Sequence, residues 1–234
     1  MTVKPKKQPK PGNKTDSPAI PEGLLKPVIE SWKACKELAR EQEIRLPENA
    51  DFLNVLYKVW SCSDFVMHQI QQDPAMLRDL LDSGDLLTDY LPNEYTRKAQ
   101  VLFARVRDED ELARKLRQLR QREMVRIAWR DLAGWADLEE TLRDLSGLAE
   151  ASIDIALEKL HKWMSKELGV PFSSESSIDE YPNVNSTVST TKGEPQSLVV
   201  IAMGKLGAGE LNFSSDIDLI FAYPKEGETR KRNG

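Results

Sequence analysis

The 234-residue sequence predicts an α+β protein, a mainly helical N-terminal region followed by the start of a sheet. Three observations predict it. Over residues 24–168 apolar side chains recur at helical spacing. Over 171–196 the composition turns to Ser, Thr, Asn, Glu, Asp and Pro, as in a linker or long surface loop. Beyond that, two short apolar runs at 198–202 and 217–222 flank a glycine-rich turn and read as buried strands. The expected organisation is a tail over 1–22, a helical region over 23–168, a linker or surface loop over 169–196, and a strand-containing segment over 197–234.

The tail carries Lys4, Lys6, Lys7, Lys10 and Lys14 among five prolines and almost nothing apolar. Such a segment cannot bury enough surface to offset its ordering entropy, so disorder is expected. In the helical region Phe52, Val55, Leu56, Val59 and Trp60 fall at i, i+3, i+4, i+7 and i+8, one apolar stripe. Asp73-Pro74 supplies an N-cap and an N1 proline for a short helix that Gly84 stops. Leu112, Leu116 and Leu119 begin a long amphipathic helix rich in arginine. All five tryptophans, Trp32, Trp60, Trp129, Trp135 and Trp163, lie in helical patterns and are assigned to core packing rather than base stacking.

Composition excludes several classes. The net charge of −5 gives no global attraction to nucleic acid or anionic membrane. No apolar run approaches a membrane span, and the N-terminus has no apolar signal-peptide segment. Cys35 and Cys62 form no metal-ligand spacing and read as thiols of a reducing, cytoplasmic compartment. His68 and His161 stand singly in helical patterns, and no Ser/His/Asp or Cys/His arrangement is present.

The informative stretch is Gly204-Lys205-Leu206-Gly207-Ala208-Gly209-Glu210-Leu211-Asn212-Phe213-Ser214-Ser215-Asp216-Ile217-Asp218-Leu219. In a strand, side chains alternate faces, so Asp216 and Asp218 are expected on one side, with Ile217 and Leu219 on the other. Two carboxylates side by side repel unless a cation lies between them, and hard oxygen donors suit Mg²⁺. The glycine-rich turn upstream leaves backbone N–H groups open to a phosphate. Together these point to metal-assisted chemistry on a nucleotide phosphate. The bland alternative is a strand corner with two solvated aspartates. Rival motifs fail on spacing: Gly204-Lys205 is followed by Leu206 rather than Ser or Thr, and the glycines run G-x-x-G-x-G rather than G-x-G-x-x-G. An EF-hand loop starting at Asp216 would place Ile220 and Phe221 where a ligand and a glycine belong.

Residues 203–221 resemble the signature of the bacterial glutamine-synthetase adenylyltransferase/adenylyl-removing enzymes, a branch of the polymerase-β-type nucleotidyltransferases. The shared pattern is strand, Gly-Lys-Leu-Gly-(small)-Gly-Glu-Leu-Asn, then Ser-Ser-Asp-x-Asp-Leu, and every residue of it is present, with Ala208 at the small position. The helical segments 80–86, 120–132 and 136–142 are similar to that family as well. The wider superfamily's Gly-Ser pair is Gly204-Lys205 here.

The resemblance implies the start of a polymerase-β-like nucleotidyltransferase core at 197–234, with Mg²⁺ held by Asp216 and Asp218 as catalytic residues. It implies nucleotide or phosphate contacts from Gly204, Lys205, Gly207, Ser214 and Ser215. A third carboxylate is expected on a later strand, and the charged stretch 225–234 reads as a turn, so the sequence is expected to be an N-terminal piece, inactive alone. The implied reaction is phosphorolytic removal of AMP from a tyrosine of glutamine synthetase, releasing ADP, within a bifunctional enzyme that also adds AMP from ATP. Implied partners are glutamine synthetase, a PII-type signalling protein, ATP, ADP and phosphate. A uridylyltransferase of PII, an RNA-tailing enzyme and a non-catalytic helical regulatory module stand as alternatives. For the arginine-rich stretch 114–130 two expectations compete: an ion-paired solvated helix face, or arginines Arg120, Arg122, Arg126 or Arg130 leaning over the phosphate site.

Overall fold

The computed structural model describes residues 20–174 and 193–231, and the expected disorder of the tail and most of the 169–196 loop fall outside these residues. Among them, 20–92 with 117–145 form one compact unit, and 93–116 with 146–174 and 193–231 form another. Two of the three boundaries fall inside long helices, α6 (Glu109–Ala133) and α7 (Leu138–Leu168). The α+β class holds, with helices predominating.

The first unit is helical. It contains α1 (Glu22–Glu41), α2 (Ala50–Cys62), α3 (Asp64–Gln72), α4 (Pro74–Asp82) and a 3-10 turn at Asp85–Leu87, joined by the later part of α6 and the start of α7. Local chemistry sets the boundaries. Asn49 caps α2 by accepting from the Phe52 N–H at 2.9 Å, and Ser63 caps α3 by accepting from Val66 at 3.2 Å. Pro74 opens α4 at its first position, whereas the Asp73 side chain makes no capping bond. Gly84, at φ +73°, reverses the chain after α4 in the left-handed region that an L side chain avoids.

The apolar stripe of α2 faces inward: Leu56, Val59 and Trp60 are buried, with Phe52 and Val55 packed partly against them. Trp32, Trp60 and Trp129 are almost fully enclosed. Trp32 meets Trp60 edge-on at 5.7 Å, and Phe52 stacks on Trp129 at 5.8 Å, geometries favoured by the ring quadrupole. These three tryptophans are core residues, as expected; Trp135 and Trp163 are half-buried.

The second unit contains α5 (Glu94–Phe103), the start of α6, most of α7, and four short strands. Gly147 of α7 lets Tyr95 of α5 approach, since a Cβ there would lie 3.2 Å from the ring. β1 (Val170–Ser173) pairs antiparallel with β4 (Gly227–Arg230), Val170 opposite Arg230 and Ser173 opposite Gly227. β2 (Val199–Ala202) pairs antiparallel with β3 (Leu219–Ala222), Val199 opposite Ala222 and Ala202 opposite Leu219. Several sequence expectations need correction. The apolar runs read as buried strands do form β2 and β3, but Val199, Ile201, Ile220 and Phe221 are exposed, and β1 lies inside the stretch read as a linker or loop. The stretch 225–234 is not simply a turn, because 227–230 form β4, whose four residues are all exposed and whose ladder is made by backbone alone. The strand carrying the aspartates begins at Leu219, not at residue 217. No helix among the described residues is long and apolar enough to cross a membrane.

Candidate functional site

The candidate site lies wholly in the second unit, where β2 leads through a glycine-rich turn to β3. After β2 the chain enters a four-residue helical turn, α8 (Gly204–Gly207). The Met203 N–H donates to the Asp218 carbonyl at 2.9 Å, which extends the β2–β3 pairing one step and places Asp218 beside the start of α8. Gly204 has φ +56°, and a Cβ on it would sit 3.7 Å from Asp218 Oδ2. The Asp218 carboxylate therefore lies over the Gly204 backbone, in a conformation that strongly favours glycine. Gly207 has a packing role, because a Cβ there would come within 2.5 Å of the Ala202 carbonyl oxygen. Gly209, at φ +71°, turns the chain out of α8, and the Glu210 N–H donates to the Lys205 carbonyl at 2.8 Å.

Two leucines fix this turn. Leu206 and Leu211 are buried, while Lys205, Ala208 and Glu210 around them are exposed. The Leu211 N–H donates to the buried Ser146 hydroxyl of α7 at 3.2 Å, a link across 65 residues of sequence. From there the chain has no strand or helix until Leu219. Its order comes from Asn212, whose Oδ1 accepts from the Ser214 N–H at 3.2 Å, the Ser214 hydroxyl at 3.3 Å and the Ser215 hydroxyl at 2.6 Å. The Ser215 oxygen in turn accepts from the Asn212 N–H at 3.4 Å, and the Ser215 N–H closes the turn on the Asn212 carbonyl at 3.2 Å.

Of the residues expected at the site, Asp216, Asp218, Gly204, Lys205, Gly207 and Ser214 are exposed and Ser215 is half-buried. Gly204 and Asp218 are brought together; Ser214 and Ser215 are gathered on Asn212. No group of three or more carboxylate, histidine or cysteine side chains forms a metal cluster among the described residues. The donors available are thus two exposed carboxylates. That set fits Mg²⁺, which binds proteins through one or two carboxylates and fills its remaining positions with water and substrate phosphate. Asn212 and Ser146 were not singled out from sequence. Asn-x-Ser-Ser is a recognisable side-chain turn pattern, whereas a serine inside a helix gives no signal of a partner 65 residues away.

The arginine-rich stretch divides: Arg114, Arg117 and Arg120 are exposed, as expected of a solvated face, whereas the later arginines turn inward. Arg122, Arg126 and Arg130, one helical turn apart on α6, point into the first unit. Arg126 donates to the Asp85 carbonyl at 2.9 Å, the Thr88 carbonyl and Asp144 Oδ2 at 2.7 Å, and its guanidinium lies 3.4 Å from the centre of the Tyr90 ring. Arg130 donates to Glu140 at 2.7 Å and to the Leu86 carbonyl at 3.1 Å. Arg122 bridges Asp79 at 2.6 Å and Asp85 at 2.8 Å and also pairs with Glu123. Arg126 and Arg130 thus satisfy backbone carbonyls of residues 85–88, and Arg122 is committed to carboxylates of the same unit. Burial pushes the Glu123 carboxyl above its ordinary range, against the opposing pull of Arg122 and Arg126. Tyr90 is pushed up as well, chiefly by burial and then by Glu123.

A helical region joined to a strand, a glycine-rich turn and an exposed aspartate pair is the arrangement to be placed among known proteins. The chain belongs to the glutamate-ammonia ligase adenylyltransferase family, whose sequence profile matches residues 53–234. It is 46% identical over 219 residues to a bifunctional glutamine synthetase adenylyltransferase/adenylyl-removing enzyme of Nitrosococcus oceani, covering 91% of this chain and 20% of that protein. It is 46% identical over 172 residues to the enzyme of the same description from Pseudomonas aeruginosa, covering 74% of this chain and 16% of that protein. With that of Shewanella loihica the figures are 35% over 213 residues, 91% and 20%. The chain thus spans about a fifth or less of the length of these relatives.

Proposed function

We propose that this chain carries part of the adenylyl-removing centre of a bifunctional enzyme that regulates glutamine synthetase. The observation that carries the reading is the exposed pair Asp216 and Asp218 at the mouth of the β2–β3 hairpin, with the Asp218 carboxylate laid over Gly204. The chain's relatives are described as both adenylyltransferases and adenylyl-removing enzymes. The removing half is favoured by the helical region preceding the motif, which resembles the region before the site in that family.

In the reaction, an oxygen of inorganic phosphate attacks the phosphorus of the AMP group on the tyrosine. The bond from phosphorus to the phenolic oxygen breaks, the phenolate takes up a proton, and ADP leaves. The chain's own contribution is to hold charge and approach. Asp216 and Asp218 would hold Mg²⁺, which when bound neutralises phosphate charge and stabilises the transition state. Gly204 keeps the space beside Asp218 free of side chain, so a phosphate can come close to the backbone. Lys205, exposed in α8, supplies a cation for phosphate oxygens, whereas the Ser214 hydroxyl donates to Asn212 Oδ1. Glutamine synthetase, a PII-type signal protein and adenine nucleotides would be its partners in the cytoplasm.

The test is Asp216→Asn and Asp218→Asn in a full-length enzyme of this family carrying this segment, with phosphate-dependent ADP release from adenylylated glutamine synthetase as the readout. Loss of AMP removal, with AMP addition from ATP retained, is expected. Removal surviving within about tenfold, roughly 1.4 kcal/mol of barrier, overturns the assignment; loss of both activities in a folded protein overturns the choice of half.

A further inference from the structure

The unsolved physical question at this site is what holds Asp216. Asp218 is tied into the hairpin by the Met203–Asp218 backbone bond, but Asp216 lies beyond the ladder, at the exit of a nine-residue passage (210–218) with no regular structure. A ligand pair that must be ordered anew at each turnover loses rate to conformational entropy, and misplacement by about 1 Å costs on the order of a hundredfold.

We propose that Asn212 is the positioning residue of the aspartate pair, fastened to the helical scaffold through the Leu211–Ser146 bond. The proposal rests on the reading of Asp216 and Asp218 given above. One amide oxygen of Asn212 gathers three donors from Ser214 and Ser215, and the Ser215 hydroxyl returns a bond to the Asn212 N–H. The 212–215 turn is thereby closed from both ends immediately before Asp216. The residue before Asn212 is buried, and its N–H is held by a hydroxyl that is itself buried on α7. The turn is therefore anchored to a 31-residue helix and does not ride only on a two-stranded hairpin.

The side-chain chemistry is selective. Alanine at 212 removes every one of the three accepted bonds, while aspartate retains an acceptor oxygen in the same place. Ser215 belongs to this device through its hydroxyl, whose 2.6 Å bond to Asn212 is the shortest of the set. Asn212 acts through the aspartates and not on the substrate, so its loss should weaken the metal site and lower kcat while leaving KM for adenylylated glutamine synthetase unchanged.

The experiment uses full-length enzyme carrying this segment, with Mn²⁺ as the probe, its binding followed by electron paramagnetic resonance without substrate, alongside kcat, KM and circular dichroism. Asn212→Ala should weaken Mn²⁺ binding by about tenfold or more, the size usual for a residue that orients metal ligands, with KM unchanged. Asn212→Asp should keep Mn²⁺ binding at or above the parent's level. Ser215→Ala should move affinity in the same direction as Asn212→Ala by a smaller factor, and it decides the matter if Asn212→Ala does not fold. Mn²⁺ binding and kcat within twofold of the parent in the folded Asn212→Ala protein, or in Ser215→Ala where that variant decides, overturn the positioning role. Separately, if Asp216→Asn and Asp218→Asn leave Mn²⁺ binding intact, the metal reading itself has failed whatever the Asn212 variants do.

Discussion

Two regions, the buried arginines of α6 in the first unit and the β2–β3 hairpin in the second, treat charge in opposite ways. In the first, charge is hidden: Arg126 is fully buried and Arg130 nearly so, each paired with a buried or nearly buried carboxylate and with backbone carbonyls. In the second, around the β2–β3 hairpin, Asp216, Asp218 and Lys205 are exposed, and so are Val199, Ile201, Ile220 and Phe221. Buried ions must be neutralised where they stand, so a network such as Arg126–Asp144 is committed to structure. Exposed carboxylates keep their coordination capacity for something that arrives. The difference separates the charges that hold this molecule together from those that can act on a ligand.

The largest expected effects test that separation directly. Arg126→Ala removes one partner of a buried pair and takes a donor from each of the Asp85 and Thr88 carbonyls. It should cost about 3–5 kcal/mol of stability, the usual penalty for stranding a buried charge. Asp218→Asn should leave stability within about 0.5 kcal/mol, as for surface substitutions generally, while abolishing AMP removal. Urea unfolding of both variants checks the comparison. A stable Arg126→Ala protein, or an unfolded Asp218→Asn protein, would erase it.

Glu123 sharpens the comparison by pH. Its carboxyl is raised by burial, so the folded state holds its proton more tightly than the unfolded state. The contribution of such a group is fully present below the unfolded value, about 4.3, and is lost as pH rises through the folded value. Glu123→Gln removes the titration. Relative to that variant, the parent should therefore lose melting temperature as pH is raised from about 4 to 7. A difference that stays flat or grows in the parent's favour would show that the pull of Arg122 and Arg126 outweighs burial.

Much of this was legible in the sequence, and the parts that were not share a physical cause. The α2 stripe, the Pro74 start and the Gly84 stop are local signals, and all three correspond to features of the structure, although Asp73 makes no side-chain capping bond. The strand–glycine turn–strand order was also readable, because the apolar runs are short and flank a glycine-rich turn. The inward turn of Arg122, Arg126 and Arg130 matched neither a solvated face nor a phosphate site, because spacing reports periodicity and says nothing of which face a neighbour covers. β4 escaped notice because its ladder needs only backbone: Gly227 lets the chain approach the Phe172 carbonyl, where a Cβ would lie 1.9 Å from the oxygen. Its partner β1 begins 57 positions earlier, and such long-range pairing leaves no local pattern. The Ser146–Leu211 bond is hidden for the same reason.

Cysteine labelling offers a milder check. Cys35 is buried beside the Ile70 carbonyl and its thiol is pushed up to about 11 by burial, whereas Cys62 is exposed. Thiolate is the reactive form, so iodoacetamide at neutral pH should modify Cys62 alone in the folded protein. Cys35 should react only after denaturation. Equal labelling of both in the folded protein would mean that the core around α1 and α3 opens readily, contrary to the tight first unit described here.

The smallest effect is expected at Phe221, and it bears on the other half of the comparison. Phe221 is 61% exposed on β3, opposite Val200, whereas Trp60 in the first unit is 1% exposed. A side chain already in water has little transfer free energy to lose, so Phe221→Ser should change stability by no more than about 0.5 kcal/mol. Trp60→Ala, which empties an enclosed site, should cost about 3–5 kcal/mol. Both are measured by urea denaturation of residues 1–234 with tryptophan fluorescence, Phe221→Ser keeping all the tryptophans and Trp60→Ala reporting through the four that remain. Because a two-stranded hairpin with bare apolar faces is also a template for association, Phe221→Ser should additionally reduce aggregation in light scattering. A stability loss above about 2 kcal/mol at Phe221, the size seen for buried aromatics rather than surface ones, would show that this face is covered in solution and that the contrast between the two units is drawn too sharply.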